Sequence, residues 1–278
     1  MPHVLLLSIA ALPHEDLDSP LLVSSLAERG IDSSVVTWSE PESWPADADL
    51  AVIRTTWDYT FRRDEFILAM SALPMPLANP ASIVSWNSHK GYLVELGESG
   101  VPVVPSVLIA AGEAPALPRL GVPRIIVKPA ISAGGRGVGL FAADAPEAVD
   151  HLAELLAHGD ALVQPFEPSV NAGERSLIFF GGHYSHAVRK VPADADFRVQ
   201  LRYGGRLLEH EATAAELAAA ALALSCVDAD LLYARVDLVG APEQPLVMEL
   251  ELIEPEVFLP MADGAAGRFA DAIAAKIV

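Results

Sequence analysis

Residues 125–141 read IIVKPAISAGGRGVGLF, two apolar runs flanking a loop that holds Gly134, Gly135, Gly137 and Gly139 around a single Arg136. Gly-rich loops let backbone N–H groups come close to an anion, most often phosphate. Which phosphate architecture this is decides the fold. A P-loop needs G-x-x-x-x-G-K-[ST] opening a helix; here Lys128 precedes the glycines, inside the first apolar run, and no Lys-Ser or Lys-Thr follows them. A dinucleotide fingerprint needs G-x-G-x-x-G between strand and helix; here Gly135, Gly137 and Gly139 are spaced G-x-G-x-G and lead into a strand-like VGLF. The segment reads as strand, flexible hairpin, strand, with a Lys under a mobile nucleotide lid. An ordinary Gly-rich hairpin is the alternative on this segment alone.

Composition narrows the class. The 278 residues are 52% hydrophobic and 20% charged, core material for one large or two to three small domains. The longest apolar stretches, such as LAAAALALSCV, are shorter than a membrane span. The start, MPHVLLLSIAALPHEDLD, lacks a basic n-region and reads as a first strand and loop, not a signal peptide. A single cysteine, Cys226, fits a reducing cytoplasm, and its apolar helical setting predicts a core position. A net charge of −19 argues against nucleic-acid or anionic-membrane partners.

The first third alternates strands and helices: HVLLLSIA, then a helix DSPLLVSSLAERG with Asp18 or Ser19 as N-cap, then strands DSSVVTW and LAVIRTTW, then a helix RRDEFILAMSAL. That order predicts a parallel sheet whose ligand-facing loops, SIAALPHEDLD and RTTWDYTFRRD, leave the strand C-termini. A second unit opens with a helix capped by Asn87 or Ser88. It continues through the flap hairpin to a helix whose Asp144-x-x-Glu147 has capping-box spacing. A third unit reads as an antiparallel sheet, with a helix opening on the Thr213-x-x-Glu216 box and a late hairpin of LLYARVDLV and PLVMELELIE.

That hairpin carries the strongest signal. Both strands are mostly apolar, yet Asp237 sits in one, and Glu249 and Glu251 sit two apart in the other, hence on one face. Carboxylates gathered on a buried face repel one another without a cation. A hard divalent ion is the natural partner, and Mg2+ takes one or two carboxylates plus substrate phosphates. Arg235 lies on the same face and would meet phosphate. An exposed acidic sheet face is the bland alternative.

The order NSHKGYLVELGESGVPVVPS, IIVKPAISAGGRGVG, LVQPFEPS, DFRVQLRYGGR, ARVDLV, MELELIEP resembles an ATP-grasp ligase over residues 85–278, with a pre-grasp domain in front. Within that superfamily it is similar to the glutathione-synthetase-like branch and its subgroup of D-cycloserine-type (O-ureido-serine) cyclo-ligases. The resemblance implies a fold of mixed α/β and α+β class: a parallel-sheet pre-grasp domain over 1–86, an N-terminal grasp lobe with the Gly-rich flap over 87–162, and a C-terminal lobe with the metal site over 163–278. It implies Lys90 and Lys128 on ATP phosphates, with Ser132, Gly134, Gly135 and Gly137 of the flap closing over them. Gln164 and Phe166 would hold the adenine and Glu174 the ribose. Arg198 and Arg235 would steady the transferring phosphoryl group, and Asp237, Glu249 and Glu251 would bind two Mg2+, or Mn2+. Many relatives carry E-x-N on the last strand, where this chain has Glu251.

The implied chemistry is phosphorylation of a carboxylate and displacement of that phosphate by an amine, within one molecule for a cyclo-ligase. A small amino-acid-like substrate would meet Arg54, Trp57, Asp58 and Tyr59; a helix cap with core aromatics explains the same residues. His14, Glu15 and Asp16 are weaker candidates in the neighbouring loop. His183 and His186 are too isolated for a metal site. A homodimer is an expectation carried by the family alone. The rival functions are a ligase extending a peptide or protein terminus and a non-catalytic ATP-binding module.

Overall fold

Val4, Leu5, Leu6 and Leu7 are wholly excluded from solvent. A continuous apolar run suits a strand covered on both faces, as parallel sheets require. The computed structural model describes residues 1–194 and 196–277. The Val4–Leu7 run lies in β1 (His3–Ser8), which pairs in parallel with β2 (Asp32–Thr37) on one side and β3 (Leu50–Ile53) on the other; β4 (Leu77–Ala78) completes the order β2-β1-β3-β4. Helices α1 (Asp18–Ala27) and α2 (Arg63–Ser71) fill the connections after β1 and β3. The chain therefore moves to opposite sides of β1, and the crevice at the C-terminal ends of β1 and β3 is the switch point where such sheets bind ligands.

Two short helices, α3 (Ala81–Asn87) and α4 (Tyr92–Glu98), lead to an antiparallel sheet of order β5-β8-β6-β7. Its strands are β5 (Val107–Ile109), β6 (Arg124–Pro129), β7 (Gly139–Ala142) and β8 (Ala161–Pro165), with α5 (Pro146–Leu156) packed on Ile125, Val127 and Val163. The flap is thus the β6–β7 connection, as its sequence predicts. A boundary at 162/163 falls inside β8, where Val163 pairs with both Val107 and Val127, so the whole strand stays with this sheet.

The last sheet, order β11-β10-β9-β12-β13, is antiparallel and built from β9 (Glu174–Phe180), β10 (His183–Val191), β11 (Arg206–His210), β12 (Tyr233–Ala241) and β13 (Gln244–Glu251). Helix α6 (Ala214–Ser225) packs on it, and α7 (Ala265–Ile277) joins it to the parallel sheet. Phe269 of α7 stacks on Phe180 of β9 at 4.4 Å, while the same apolar cluster takes in Leu22 and Leu26 of α1. That three-way contact fixes the pre-grasp loops against the end of β13.

Local signals held unevenly. The Thr213–Glu216 capping box forms in full. The Asp144–Glu147 box does not: α5 starts on Pro146, and Ala145 is the N-cap without a side-chain bond. At α1 the cap is Asp16, whose carboxylate accepts from the N–H groups of Asp18 and Ser19; Asp18 turns away to bind the backbone of Val257 and Leu259. Asn87 caps nothing; its amide bonds the backbone of Leu250 and Leu252 in and just after β13, leaving α4 to begin after Gly91. Cys226 is exposed, because it ends α6 past the helix's buried stripe.

Candidate active site

Strands β12 and β13 pair with Arg235 opposite Glu251 and Asp237 opposite Glu249, and the register shifts at the bulge after Asp237. Two residues of each strand therefore share one face. Strand β9 sets Ser176 beside Asp237, and β10 sets Lys190 beside Glu174. The three carboxylates expected to bind metal each offer an oxygen, all within 4.8 Å of one another.

Cations of the chain balance them. Arg235 binds Asp237 through Nε at 3.0 Å and Nη2 at 2.9 Å and also reaches Glu251. Lys190 bridges Asp237 (3.0 Å) and Glu174 (2.5 Å), and Ser176 donates to Asp237 at 2.5 Å. Lys90, in the turn before α4, pairs with Glu249. Burial pushes the Asp237 carboxyl up, but Arg235 and Lys190 outweigh it and hold it well below the usual range. Burial likewise opposes ionisation of Glu249, and Lys90 and Lys128 overcome it. Glu251 goes the other way: burial, with Glu249 and Asp237 nearby, lifts it to about 7 despite Arg235. Hard oxygen donors that close, one of them reluctant to ionise, fit a small divalent cation.

The opposite wall is the flap. Lys128 in β6 is 7% exposed and forms no ion pair among the described residues; burial lowers it from 10.5 to about 8, with Lys90 adding to the effect. Gly134, Gly135 and Gly137 all have positive φ. At Gly137 a Cβ would come within 2.8 Å of Pro129 Cγ, so the turn tolerates no side chain there. Ser132 is buried at the flap's base. The flap is tied on both flanks: Arg202 donates to the Gly134 carbonyl, and Arg136 donates to Thr60 and lies 3.9 Å from the Phe61 ring.

Other expected residues sort differently. Gln164 is buried with its amide on Ser106 at 2.8 Å, and Phe166 meets Phe197 edge-on beneath the Arg124 guanidinium. Glu174 joins the acidic face through Lys190, where a ribose contact was expected, because β9 lies at the centre of the sheet. Arg198 is held by Asp196 at 2.9 Å and stacks on Tyr203 at 3.6 Å, beside the flap glycine Gly135. Asp58, expected to meet substrate, accepts from Trp38 at 2.8 Å and from Arg62 at 2.7 Å. Tyr59 packs on Phe66 in the core. Trp57 donates to the Glu254 carbonyl at 3.2 Å, and Arg54 to that of Pro255 at 3.1 Å. His183 is exposed, and His186 is tied to the Val257 carbonyl.

Three participants do not stand out as site residues in the sequence. Ser176 follows Glu174 at strand spacing, which is a legible signal for a shared face. Lys190, with Arg189, reads equally as facing phosphate or as a solvated lysine. Glu254 has no local signature, yet burial and the neighbouring Glu251 raise its carboxyl well above the usual range.

A Lys-bearing Gly flap on one antiparallel sheet facing a carboxylate-lined face on another, behind a parallel-sheet domain, defines an ATP-grasp ligase, and this chain belongs to that family. Residues 119–256 match the ATP-grasp domain of prokaryotic glutathione synthetase, and residues 4–79 match the N-terminal domain of D-cycloserine synthetase DcsG. The chain is 32% identical to the cycloserine biosynthesis protein DcsG of Streptomyces lavendulae, the alignment covering 94% of each. The crystal structure of D-cycloserine synthetase DcsG superposes with a TM-score of 0.89 at 29% identity, covering 99% of this chain and 100% of that one. A D-alanine–D-alanine ligase from Bacillus anthracis shares the fold at 15% identity, TM-score 0.75, over 100% and 97% of the two chains. ATP-grasp enzymes use ATP and divalent metal ions. Among the described residues no helix is long and apolar enough to cross a membrane.

Proposed function

We propose that this chain closes a small amino-acid-like substrate on itself, an ATP-dependent ligation of the D-cycloserine type. The observation that carries the reading is the shared face of Asp237, Glu249 and Glu251 set against the Lys128 flap. Residues 1–86 form the substrate side, and the lobe that carries the flap (87–162) and the lobe that carries the carboxylate face (163–278) grip the nucleotide between them. Lys90 and Lys128 meet the phosphates under the flap of Ser132, Gly134, Gly135 and Gly137, and Gln164 and Phe166 bound the adenine. The substrate carboxylate attacks the γ-phosphorus, ADP departs, and a nitrogen of the same molecule displaces phosphate from the acyl-phosphate. Mg2+ on Asp237, Glu249 and Glu251 supplies charge neutralisation at the transferring group. Arg235 and Arg198 hold positive charge beside that group, so catalysis is positioning and electrostatics. Two ions, Mn2+ as a substitute and a homodimer are carried from the family resemblance, and the cytoplasm from the single cysteine, Cys226.

The test is ADP release with Mg2+ and ATP against a panel of amino acids that includes O-ureido-D-serine. Release that depends on one of them supports the reading; nucleotide binding with no substrate-dependent release across the panel overturns it.

Lys128 adds a pH signature. Its charge is present below about 8, so ATP affinity is expected to fall as pH rises through that value and to be flat across it in Lys128→Met. A fluorescent ATP analogue titrated between about pH 7 and 9.5 reads this. Stability runs oppositely: between about 8 and 10.5 the unfolded chain binds more protons at this lysine, so its contribution rises with pH.

A further inference from the structure

The connection between β3 and α2 holds one turn of 3-10 helix, Tyr59–Phe61, and that turn is firmly anchored in the pre-grasp domain. Tyr59 is buried and packs on Phe66 at 5.2 Å. Asp58, just before the turn, joins Trp38 to Arg62, just after it, and the Arg62 guanidinium lies 4.5 Å from the Trp38 ring. The N–H groups of Phe61 and Arg62 close the turn on the carbonyls of Asp58 and Tyr59 at 3.0 and 2.9 Å. Phe61 points the other way. It is 75% exposed, so the core gains little from its ring.

The flap is the opposite kind of structure. Its glycines give the backbone freedom that must be given up each time the loop settles. Its return is fixed, because His151 of α5 meets the Gly137 carbonyl at 3.0 Å and Gly137 sits against Pro129 of β6. Freedom therefore concentrates at the tip, from Gly134 to Arg136. Arg136 is the one charged side chain between Lys128 and Asp144. Its guanidinium lies 3.9 Å from the Phe61 ring, its Nη2 donates to the Thr60 hydroxyl, and its Nε turns back to the Ala133 carbonyl at 3.4 Å. It forms no ion pair among the described residues. A mobile tip thus rests on a rigid turn of another domain through one side chain.

We infer that Arg136 is a latch: its seat on Phe61 and Thr60 fastens the nucleotide flap to the pre-grasp domain and slows the escape of bound nucleotide. The inference rests on the ligase reading above, in which the flap covers the phosphates. It adds that the substrate-side domain helps set how long ATP stays, through residues that do not touch ATP. Arg136 is a positioning residue, and Phe61 is its catch. A rigid catch suits a lid, since only the flap then has to be ordered on closing. A ring face suits it too. It attracts the weakly hydrated guanidinium without a counter-charge that would need desolvating at every closure.

The experiment is a stopped-flow chase of a fluorescent ATP analogue, bound with Mg2+, from the wild type, Arg136→Met, Phe61→Leu and the double variant. Each single variant is expected to release the analogue about three- to tenfold faster, with Arg136→Met the larger effect because it also loses Thr60. The double variant is expected to release it no faster than Arg136→Met, because both changes remove one contact. Arg136→Lys keeps a cation over the ring and is expected to retain part of the wild-type hold; Phe61→Tyr keeps the ring and is expected to retain most of it. Phe61→Leu is expected to melt as the wild type does, so that faster release is not loosened folding. Wild-type release from Phe61→Leu overturns the latch, and so does a double variant whose acceleration is the product of the two single ones. A wild type that binds no analogue sinks the ligase reading itself, and the latch with it.

Discussion

Asp237→Asn is expected to lower substrate-dependent ADP release by at least about 10²–10³-fold and to weaken Mn2+ binding measured with the nucleotide analogue present. Asn keeps the shape and loses the charge that Arg235 meets twice, at 3.0 and 2.9 Å, and Lys190 at 3.0 Å. Both cations are under 10% exposed, so the variant also leaves positive charge buried with too little to answer it. Breaking a buried pair in this way costs about 3–5 kcal/mol, a fall in Tm on the order of ten degrees for a chain of this size. The wild-type carboxyl lies far below its ordinary value, so its contribution is fully present above about pH 3.8 and is lost only as pH falls through the folded value. The part of the loss that belongs to the Asp237 charge itself should therefore be the same at pH 6 and pH 8, and a difference between them reports Glu251, which is lifted to about 7 partly by Asp237. Turnover within tenfold of wild type, in a variant that melts normally, would remove Asp237 from the reaction.

Glu216→Gln separates stability from chemistry. Glu216 is wholly buried; one oxygen accepts from Arg175 at 2.7 Å, and the other from His210 and the Thr213 N–H at 2.9 Å each. Burial opposes its ionisation, but the Thr213 N–H, His210 and Arg175 together hold its carboxyl below the usual value. Its contribution is thus present above about pH 4.5 and lost as pH falls through the lower folded value. Removing the charge strands Arg175 inside the sheet, so a destabilisation of about 3–5 kcal/mol is expected. The activity per folded molecule and the affinity for ATP should not change, because none of these groups touches the carboxylate face. Thermal melting beside ADP release at a temperature well below both transitions tests this. A variant that melts like the wild type, or that loses turnover while folded, contradicts it.

The acids of this chain are not equally legible. Period-2 spacing alone puts Glu249 and Glu251 on a common face, and the pairing of β12 with β13 brings Asp237 to them as expected. The flap is legible for a similar reason: Lys128 ahead of the glycines and a strand behind them leave few other readings. Glu216 is visible as a capping residue because Thr213 lies three positions before it. Its larger role, as the partner of Arg175 on β9, is not, since 41 residues separate them. Asp58 is a candidate from its place in a strand-end loop and Glu174 from the family resemblance, and only the packing shows which side chains they meet, Trp38 and Arg62 for one and Lys190 for the other.

By itself the sequence determined most of the elements, the faces of its strands, the class of the nucleotide site and the shared face of Asp237, Glu249 and Glu251, because those depend on periodicity and on residues a few positions apart. The tertiary structure alone decided which cation answers which acid and which side chains hold the chain that follows β13. The bulge after Asp237 sets the cross-strand partners, and Arg54 reaches the Pro255 carbonyl across 201 residues of chain. Contacts of that range are fixed by how sheets and helices pack on one another, chiefly by α7 bridging two of them, and no local pattern encodes them.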